Sequence, residues 1–252
     1  MDEDHVPAAL ARLWRLGAES RLGRPARLDV DRVVRAAVEL ADRDGLSGVT
    51  LPKVAESLGV TKMSLYRYVG SKGELLDLMA DFAQGPVPHI DADIAWRDGL
   101  RQWATASAET MLGHHWLSEV PVTGPPSGPN GIGWFDLGLR QLRHTGLSWG
   151  MKTDVILVLN GHVRSWLQLN QGFEERRRHT GADQVEIERE YGRNLVKLVE
   201  PQRFPDAAAL FRSGMLQSLP DRADGTLNRD FHFGLELILD GIAVAVADSA
   251  AA

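Results

Sequence analysis

The stretch LGVTKMSLYRYVGSKGELL, Leu58 to Leu76, decides the fold of this chain. Its central part, from Thr61 to Tyr68, contains a lysine, an arginine, two tyrosines, a serine and a second hydroxyl residue at its start. Only Leu65 and Val69, four residues apart, have the helical spacing of an inward face. The remaining side chains are left to point outward, so the pattern predicts a short helix that presents polar groups to a partner.

Start and stop signals predict four helices around this stretch. Asp, Thr and Ser accept hydrogen bonds from the free N–H groups at a helix start, and glycine takes the left-handed conformation that ends helices. The signals are Asp29 and Gly45 for the first helix, Thr50, Pro52 and Gly59 for the second, Thr61 for a third over Lys62–Val69, and Ser71 for a fourth over Gly73–Gln84. Ser71 and Glu74 also have the spacing of a capping box, in which Glu74 reaches back to the N-cap residue.

The turn LGVT between the second and third helices is short and contains a glycine. This is the layout of a helix-turn-helix, whose second helix lies in the major groove of DNA. Arg67 suits guanine edges or phosphates, Ser64 suits either, and Met63 suits a thymine methyl group. The side chains that suit phosphate contacts are Thr61, Tyr66 and Lys72. From the residues alone, the alternative is a solvated helix face with two half-buried tyrosines.

Over about Asp29 to Phe82 the chain resembles the DNA-binding domain of the TetR family of repressors. The matching features are AAVELADRDGLSGVT, VAESLGV and LYRYVGSKGELL. The resemblance implies DNA contacts from Thr50, Thr61, Lys62, Met63, Ser64, Tyr66, Arg67, Tyr68 and Lys72. Family members often have a polar or basic residue where this chain has Pro52, so that position departs from the pattern.

The helical patterning predicts an all-α protein, and the arginines upstream of the first helix predict an N-terminal basic arm, residues 1–28. The resemblance implies a three-helix helix-turn-helix head, residues 29–84. A larger helical domain, residues 85–252, then binds a small effector and dimerises.

The charge distribution agrees with a DNA-binding head. The 252-residue chain has a net charge of −6, yet Arg12 to Lys72 contains 12 Lys and Arg against seven Asp and Glu. Such asymmetry is typical of nucleic-acid binding. Upstream of the first helix, Arg21, Arg24 and Arg27 predict either an arm in the minor groove or a solvated tail. Before them, ALARLWRLGAE predicts a short helix that docks on the body or orders only with DNA.

The composition and the absence of certain motifs argue against several classes of protein. The chain has no Cys, which excludes disulfides and thiolate sites. The acidic start MDEDH is unlike a signal peptide, and no apolar run approaches the ~20 residues of a membrane helix, so we expect a cytoplasmic protein without a membrane partner. The chain lacks HExxH and GxSxG, and GPNGIG is not a dinucleotide fingerprint. His114 and His115 point in different directions on a helix. We therefore expect no catalytic residues, no metal, no cofactor and no enzyme activity.

Helical periodicity continues through the body of the chain. Pro121–Gly131 is predicted to be a loop and FEERRRHTGAD a charged connector. The predicted helices are Ala95–His115, Trp134–His144, Met151–Gln171, Gln184–Leu198, Ala207–Leu216 and Thr226–Asp248.

The last predicted helix has a broad apolar face that must be buried, either in its own domain or against a partner. Its residues are Leu227, Phe231, Leu235, Ile238, Leu239 and Ile242. The resemblance implies that this helix and Gln184–Leu198, with Tyr191, Leu195 and Leu198, form the four-helix interface of a homodimer. A two-fold dimer fits palindromic double-stranded DNA, because two recognition helices must meet successive major grooves about 34 Å apart.

Polar residues on the most apolar predicted helix, Met151–Gln171, indicate a cavity or a partner, because buried amides must be paired. They are Asn160, His162, Gln168 and Asn170. The candidate walls of an effector site are Trp103, Met111, Trp134, Phe135 and Trp166. The alternative is that these rings fill the core while the amides bond to backbone. A lining of this kind favours a lipophilic or amphipathic effector.

The sequence thus predicts a repressor that a small-molecule effector releases from its operator. Two alternatives stay open at this point. One is a regulator that the ligand activates, and the other is a small-molecule-binding dimer without operator recognition.

Overall fold

A computed structural model describes residues 6–16, 28–122, 124–180, 184–215 and 227–251. Among these residues the fold is all-α, as predicted, and no strand occurs. The helices are α1 (Ala8–Leu13), α2 (Val30–Asp44), α3 (Leu51–Ser57), α4 (Lys62–Val69), α5 (Lys72–Gln84), α6 (Trp96–Gly113), α7 (Pro129–Gln141), α8 (Trp149–Thr180), α9 (Gln184–Leu198), α10 (Pro205–Arg212) and α11 (Arg229–Ala251).

The described residues divide into two compact units. One contains those up to Leu167 together with those from Phe231 onward, and the other contains those from Gln168 to Asp230. In the second unit α9 packs against α10, and the rings of Tyr191 and Phe211 meet edge to face with centroids 6.4 Å apart. The helix-turn-helix and the cavity lined by α5 to α8 lie in the first unit.

The four predicted N-cap residues all cap the head helices, although α5 begins at Lys72 rather than Gly73 and α3 ends at Ser57, two residues before Gly59. A side-chain oxygen accepts a hydrogen bond from the backbone N–H three residues further on at Asp29, Thr50, Thr61 and Ser71. α2 stops at Gly45, whose φ of 71° is the left-handed conformation that favours glycine. α4 has the bounds expected for the third helix.

The head is held together by apolar side chains that α2 shares with α3, α4 and α5. The fully buried residues are Val33, Val34, Ala37, Val54, Leu65, Val69 and Met79. Each larger side chain contributes roughly 1.5–3 kcal/mol by leaving water. Leu65 and Val69 belong to α4, so the core fixes the orientation of that helix.

The second half of the predicted capping box is wrong. Ser71 Oγ accepts from the Glu74 N–H at 3.1 Å, as expected. The Glu74 carboxylate, however, accepts from Nε of Arg12 at 3.0 Å and from its Nη2, while the Ser71 N–H donates to Val69 O. A guanidinium makes charge-assisted bonds to a carboxylate that are stronger than one bond to a backbone N–H. The same pairing attaches α1 to α5.

Helix α1 docks on the rest of the first unit, which selects one of the two predicted alternatives. Leu13 is buried, and Trp14 Nε1 donates to Ser127 O at 2.8 Å. Arg15 Nε donates to Asp31 Oδ1 at 2.8 Å. The arm arginines lie outside the described residues; they are Arg21, Arg24 and Arg27.

Two boundaries around α7 differ from the prediction. α7 begins at Pro129, inside the predicted loop, and ends at Gln141 rather than at His144. The Pro- and Gly-rich composition of residues 121–131 favoured a loop throughout. Proline is tolerated in the first helical turn, where its missing N–H costs no bond, so the last part of this stretch starts the helix.

Further differences lie toward the C-terminus. α8 continues to Thr180, through most of the stretch predicted as a connector. Its long charged side chains are good helix formers, so the polar composition did not end the helix. α10 runs over Pro205–Arg212 rather than Ala207–Leu216, and the last helix spans Arg229–Ala251 instead of ending at Asp248.

The broad apolar face predicted for the last helix packs largely inside the chain. Phe231, Leu235, Leu239 and Ile242 are all buried. A second row on α11 remains exposed, and its members are Phe233, Leu237 and Val244. For these four buried residues the structure therefore agrees with the first of the two predicted alternatives, burial within their own domain.

Two arginines of α6 connect that helix to α11. Arg101 Nε donates to Glu236 Oε1 at 2.5 Å, and Arg97 Nη2 donates to Glu236 Oε2 at 2.7 Å. Arg97 Nη2 also donates to Asp240 at 2.6 Å. The hydrogen bonds from Arg101 and Arg97 lower the pKa of Glu236 from 4.5 to about 2.

The ion pairs of Glu236 are expected to make the free energy of unfolding depend on pH. A carboxylate with a depressed folded pKa contributes stability that is present above its unfolded value of 4.5 and is lost as pH falls toward about 2. Glu236→Gln should therefore unfold more easily than wild type near pH 7, by about 1 kcal/mol or less because the pair is part-exposed and screened. This difference should shrink near pH 3.

Urea unfolding at both pH values measures the effect. Glu109→Gln is the matched control, because Glu109 lies exposed on α6 and has no ion pair among the described residues. A Glu236→Gln deficit as large near pH 3 as near pH 7 would contradict the prediction.

Candidate functional site

α4 presents its polar side chains to solvent while its apolar ones anchor it. Met63 is 74% exposed, whereas Leu65 is fully buried. Thr61 Oγ1 lies 3.0 Å from Ser64 Oγ at the start of the helix. The Nζ of Lys62, one turn before Tyr66, lies 5.8 Å from the centroid of the tyrosine ring. The result is an ordered polar surface on a rigid helix.

All nine residues predicted to contact DNA lie on α4 or at the helix starts on either side of it, and all are at least partly exposed. The exposed ones are Thr61, Lys62, Met63, Tyr66, Arg67 and Lys72, and the half-buried ones are Thr50, Ser64 and Tyr68. Thr50 and Thr61 also cap α3 and α4, so their oxygens accept backbone N–H groups as well. The arrangement is that of a helix-turn-helix whose second helix is open to a groove.

A cavity of about 270 Å³ lies between α5, α6, α7, α8 and the segments 117–122 and 124–128. Its apolar lining includes Trp103, Met111, Trp134, Phe135 and Ile156. Its polar lining includes Asp77, Asp81, Gln84, Ser107, Thr110, Asn160 and Arg164. Apolar and aromatic walls with a few polar groups are typical of small-molecule sites.

Four of the five residues predicted for the effector site line this cavity, namely Trp103, Met111, Trp134 and Asn160. Trp166 does not. It is buried, and its ring packs edge-on against Phe231 with centroids 5.3 Å apart. Six residues of helix separate Trp166 from Asn160, which turns the two side chains about 120° apart. Trp166 therefore belongs to the core.

Beside the cavity, α5 and α7 form hydrogen bonds with the free backbone groups at each other's ends. At the start of α7, the Gly131 N–H donates to Asp81 Oδ1 of α5 at 2.9 Å. At the end of α5, Trp134 Nε1 donates to Gln84 O at 3.0 Å and to Gly85 O at 3.2 Å. These groups have no partner within their own helices. The cavity wall and the last helix of the head are thus joined by direct hydrogen bonds.

Two further contacts extend this junction. Trp103 Nε1 donates to Trp134 O at 2.9 Å, so both indole N–H groups of the cavity wall are used. At Gly128, just before α7, a Cβ atom would lie only 2.1 Å from Asp81 Oδ1. A side chain at position 128 would separate α5 from the start of α7.

Arg164 holds the segment that closes one side of the cavity. Its guanidinium donates to Leu117 O at 3.1 Å, to Ser118 O at 2.8 Å and to Val120 O. No carboxylate among the described residues forms an ion pair with it. Burial lowers the pKa of Arg164 from its ordinary value. The wall therefore contains a positive charge that only carbonyl dipoles offset.

The remaining polar groups of the wall are also costly to bury. Asn160 Oδ1 is buried and has no hydrogen-bond partner among the described residues. Burial raises the pKa of Asp81, although the Gly131 N–H opposes the shift. Burial and the nearby Glu74 raise the pKa of Asp77.

The polar cavity residues that were not predicted from the sequence are Asp77, Asp81, Gln84, Ser107, Thr110 and Arg164. Arg164 had a usable signal, because it follows Asn160 by four residues and so shares its face of the helix. Asp81 and Gln84 had none, since polar residues on a head helix are ordinary. Among the described residues, no cluster of three or more His, Asp or Glu is placed to hold a metal ion, and no helix is both long and apolar enough to cross a membrane.

A helix-turn-helix head followed by a larger helical domain is the architecture of a class of DNA-binding transcriptional regulators. Residues 33–79 match the family model for bacterial regulatory proteins of the tetR family, and residues 88–246 match that for the tetracyclin repressor-like C-terminal domain. The chain belongs to the TetR family, whose members are transcriptional regulators and not enzymes.

Sequence relatives include two repressors. The HTH-type transcriptional repressor DrrR1 of Streptomyces coeruleorubidus is 34% identical over 244 residues, which cover 96% of this chain and 87% of the relative. The HTH-type transcriptional repressor Rv1353c of Mycobacterium tuberculosis is 24% identical over 221 residues, which cover 84% of this chain and 79% of the relative.

Solved structures of ActR, a TetR family protein of Streptomyces coelicolor, have the same fold. The complex of ActR with actinorhodin superposes with a TM-score of 0.71 at 26% identity, covering 88% of this chain and 98% of that one. Its complex with (S)-DNPA gives 0.68 at 25% identity, with 87% and 99% covered.

The junction between α5 and α7 predicts that Trp134→Phe destabilises the fold. The substitution keeps an aromatic ring but removes the donor shared by Gln84 O and Gly85 O, which costs roughly 1–3 kcal/mol for groups left unpaired. Urea unfolding followed by circular dichroism measures the loss. Trp149→Phe is the control, because Trp149 is 73% exposed. Equal unfolding free energies for the two variants would show that the bonds to the end of α5 do not stabilise the fold.

Proposed function

We propose that the chain is a homodimeric repressor that binds a palindromic operator in double-stranded DNA and leaves it when a small molecule enters the cavity. The observation that carries this proposal is the polar, exposed face of α4, held in position by Leu65 and Val69. Family membership and repressor relatives support the same function. Such a protein acts on the chromosome, so we place it in the cytoplasm.

In the proposed complex α4 lies in the major groove. Arg67 contacts guanine edges or phosphates, Met63 contacts thymine methyl groups, and Ser64 contacts either bases or backbone. The phosphate contacts come from Thr50, Thr61, Lys62, Tyr66, Tyr68 and Lys72. Four of these, Thr50, Thr61, Lys62 and Lys72, lie at the starts of α3, α4 and α5, where free backbone N–H groups favour phosphates.

The proposed dimer interface uses the exposed apolar rows of α8 and α11. α8 leaves Leu157 61% exposed and Val158 52% exposed, and α11 leaves Leu237 57% exposed. The two helices touch, because His162 of α8 lies 2.9 Å from Phe231 O. An apolar surface of this kind is typical of a protein–protein contact. The contribution expected from α9, through Tyr191, Leu195 and Leu198, stays a prediction.

Release is proposed to act through α5, the one helix that belongs to the head and also lines the cavity. Asp77, Asp81 and Gln84 of α5 face the cavity, while its first turn packs beside α4. A ligand that favours another position of α5 changes the spacing of the two heads. A roughly 100-fold loss of operator affinity needs only about 2.7 kcal/mol of differential binding. ActR, which binds actinorhodin, supports a small molecule as the occupant.

Selection of DNA from a random library by the purified protein tests the operator proposal. The expected result is enrichment of a palindromic sequence. Binding to it should weaken strongly as the salt concentration rises, because phosphate contacts release counterions. No enrichment over random DNA would contradict operator recognition and favour a ligand-binding dimer. If a cavity ligand strengthens binding to the selected sequence, the protein is an activated regulator instead.

Two substitutions should separate base recognition from phosphate contact. Arg67→Ala is expected to weaken the selected operator by about 1–3 kcal/mol and to relax the base preference at one position of each half-site. Lys72→Ala is expected to weaken operator and random DNA alike and to lower the salt slope by about 1. DNA titrations of each variant at several salt concentrations measure the affinities and the salt slopes. If both variants bind like wild type, α4 is not the recognition helix.

The dimer proposal predicts that Leu237→Asp yields monomers. A charge placed on the apolar row of α11 would be buried without a partner in the dimer, which costs several kcal/mol. Sedimentation at low micromolar protein measures the assembly state. Leu16→Asp is the control, because Leu16 is equally exposed, at 57%, but lies after α1. A Leu237→Asp protein that sediments like the control would place the interface elsewhere.

A further inference from the structure

Resting on the proposed function, we propose that the effector is an aromatic organic acid that also carries a hydrogen-bond donor. Its acidic group pairs with Arg164, and its hydroxyl or N–H group donates to Asn160 Oδ1. Its ring system lies against the aromatic wall formed by Trp103, Trp134 and Phe135.

The requirement for a donor comes from Asn160. Its Oδ1 atom is buried in the cavity wall without a hydrogen-bond partner among the described residues. An unpaired buried acceptor destabilises the folded protein, and the great majority of such atoms are paired. A ligand hydroxyl or N–H group supplies the missing donor. A ligand with only acceptors would leave the atom unpaired.

The requirement for an acid comes from Arg164. Its bonds to the carbonyls of Leu117, Ser118 and Val120 use three of the five N–H donors of a guanidinium. The other two have no acceptor among the described residues, and no carboxylate offsets the charge. The free donors are Nε–H and one N–H of Nη1, which lie on different edges of the guanidinium, so a carboxylate accepts from one of them and neutralises the charge.

The two groups are placed to act on one ligand. Asn160 and Arg164 are four residues apart on α8, so their Cβ atoms lie about 5–6 Å from each other on one face. Both side chains line the same cavity. A compact ring system can therefore reach both at once, whereas a long chain is not required.

The carboxylates of the opposite wall do not serve as the partners of Arg164. Asp77 and Asp81 line the cavity from α5, but neither is within ion-pair distance of the guanidinium. Asp81 Oδ1 is already bonded to the Gly131 N–H, and Asp77 is exposed to solvent. A cationic ligand beside α5 is the rival to the acid, and the experiment distinguishes the two.

The aromatic part of the proposal comes from ring geometry. The rings of Trp103 and Trp134 meet edge to face, with centroids 6.3 Å apart and an interplanar angle of 72°. Their N–H groups are bonded to backbone carbonyls, so the rings are fixed and offer apolar surface to a ligand. Flat ring systems pack well on such surfaces. The cavity volume of about 270 Å³ suits a ligand of two or three fused rings.

Hydroxynaphthoic acids, with the hydroxyl moved around the ring, are the probes for calorimetric titration of the DNA-free protein. The comparison compounds are their methyl esters, unsubstituted 2-naphthoic acid and the cation 2-naphthylmethylamine. We expect at least one hydroxy acid to bind about tenfold more tightly than its ester and more tightly than 2-naphthoic acid. The ratio of acid to ester affinity reports on Arg164. The ratio of hydroxy acid to 2-naphthoic acid affinity reports on Asn160.

Variants assign each preference to its residue. Arg164→Gln is expected to reduce the acid-to-ester ratio to about one, Arg164→Lys to retain part of it, and the control Arg143→Gln, at an exposed site beyond α7, to keep it in full. Asn160→Leu is expected to abolish the preference for the hydroxyl. It should also raise the melting temperature of the ligand-free protein, because the unpaired acceptor is gone.

The proposal is overturned if no acid binds, if esters bind as tightly as acids, or if the amine binds more tightly than the acids. It is also overturned if Arg164→Gln keeps the wild-type acid-to-ester ratio. None of these outcomes affects the DNA selection, which uses protein without ligand. Acid binding by a protein that enriches no DNA would instead leave this inference standing and reject the operator.

Discussion

The packing of the first unit depends on the hydrogen bonds between the C-terminal end of α5 and the N-terminal half of α7. A helix leaves N–H groups free at its start and carbonyls free at its end, and burying them unpaired is costly. Asp81 of α5 takes the Gly131 N–H at the start of α7, and Trp134 of α7 donates to Gln84 O at the end of α5. Each helix therefore needs the other in one position. Since α5 also belongs to the head, the position of the head is tied to the cavity wall.

The cavity wall departs from the usual rule that buried polar groups are paired. Among the described residues, Asn160 Oδ1 has no hydrogen-bond partner, and the guanidinium of Arg164 bonds only to backbone carbonyls. By contrast, the indole N–H groups of Trp103 and Trp134 are both bonded to backbone. Unpaired groups thus occur on α8, while the groups that hold α7 to its neighbours are satisfied. In the proposed complex a ligand would therefore meet satisfied groups on α7 and would bond to the unsatisfied groups on α8.

The head could be predicted from the sequence because its signals are local. Thr61 and the spacing of Leu65 and Val69 gave the bounds and buried face of α4, which depend on neighbours within one turn. Long-range partners could not be predicted. The carboxylate of Glu74 pairs with Arg12, 62 positions away, instead of with its own capping box. Likewise, the sequence of α11 contains two apolar rows, and only packing against the other helices decides which of them faces the core. The same limit applied to the cavity, where Asp81 has no local signal.

Helix α1 adds a second connection between the head and the cavity. Arg12 pairs with Glu74 in the first turn of α5, Leu13 lines the cavity, and Trp14 Nε1 donates to Ser127 O in the segment that closes it. Three consecutive residues thus contact the head, the cavity and its closing segment. If α5 moves relative to that segment, at least one of the two bonds must break or α1 must move as well. Because a charge-assisted pair and an indole bond both oppose that movement, α1 favours the arrangement of head and cavity in this structure.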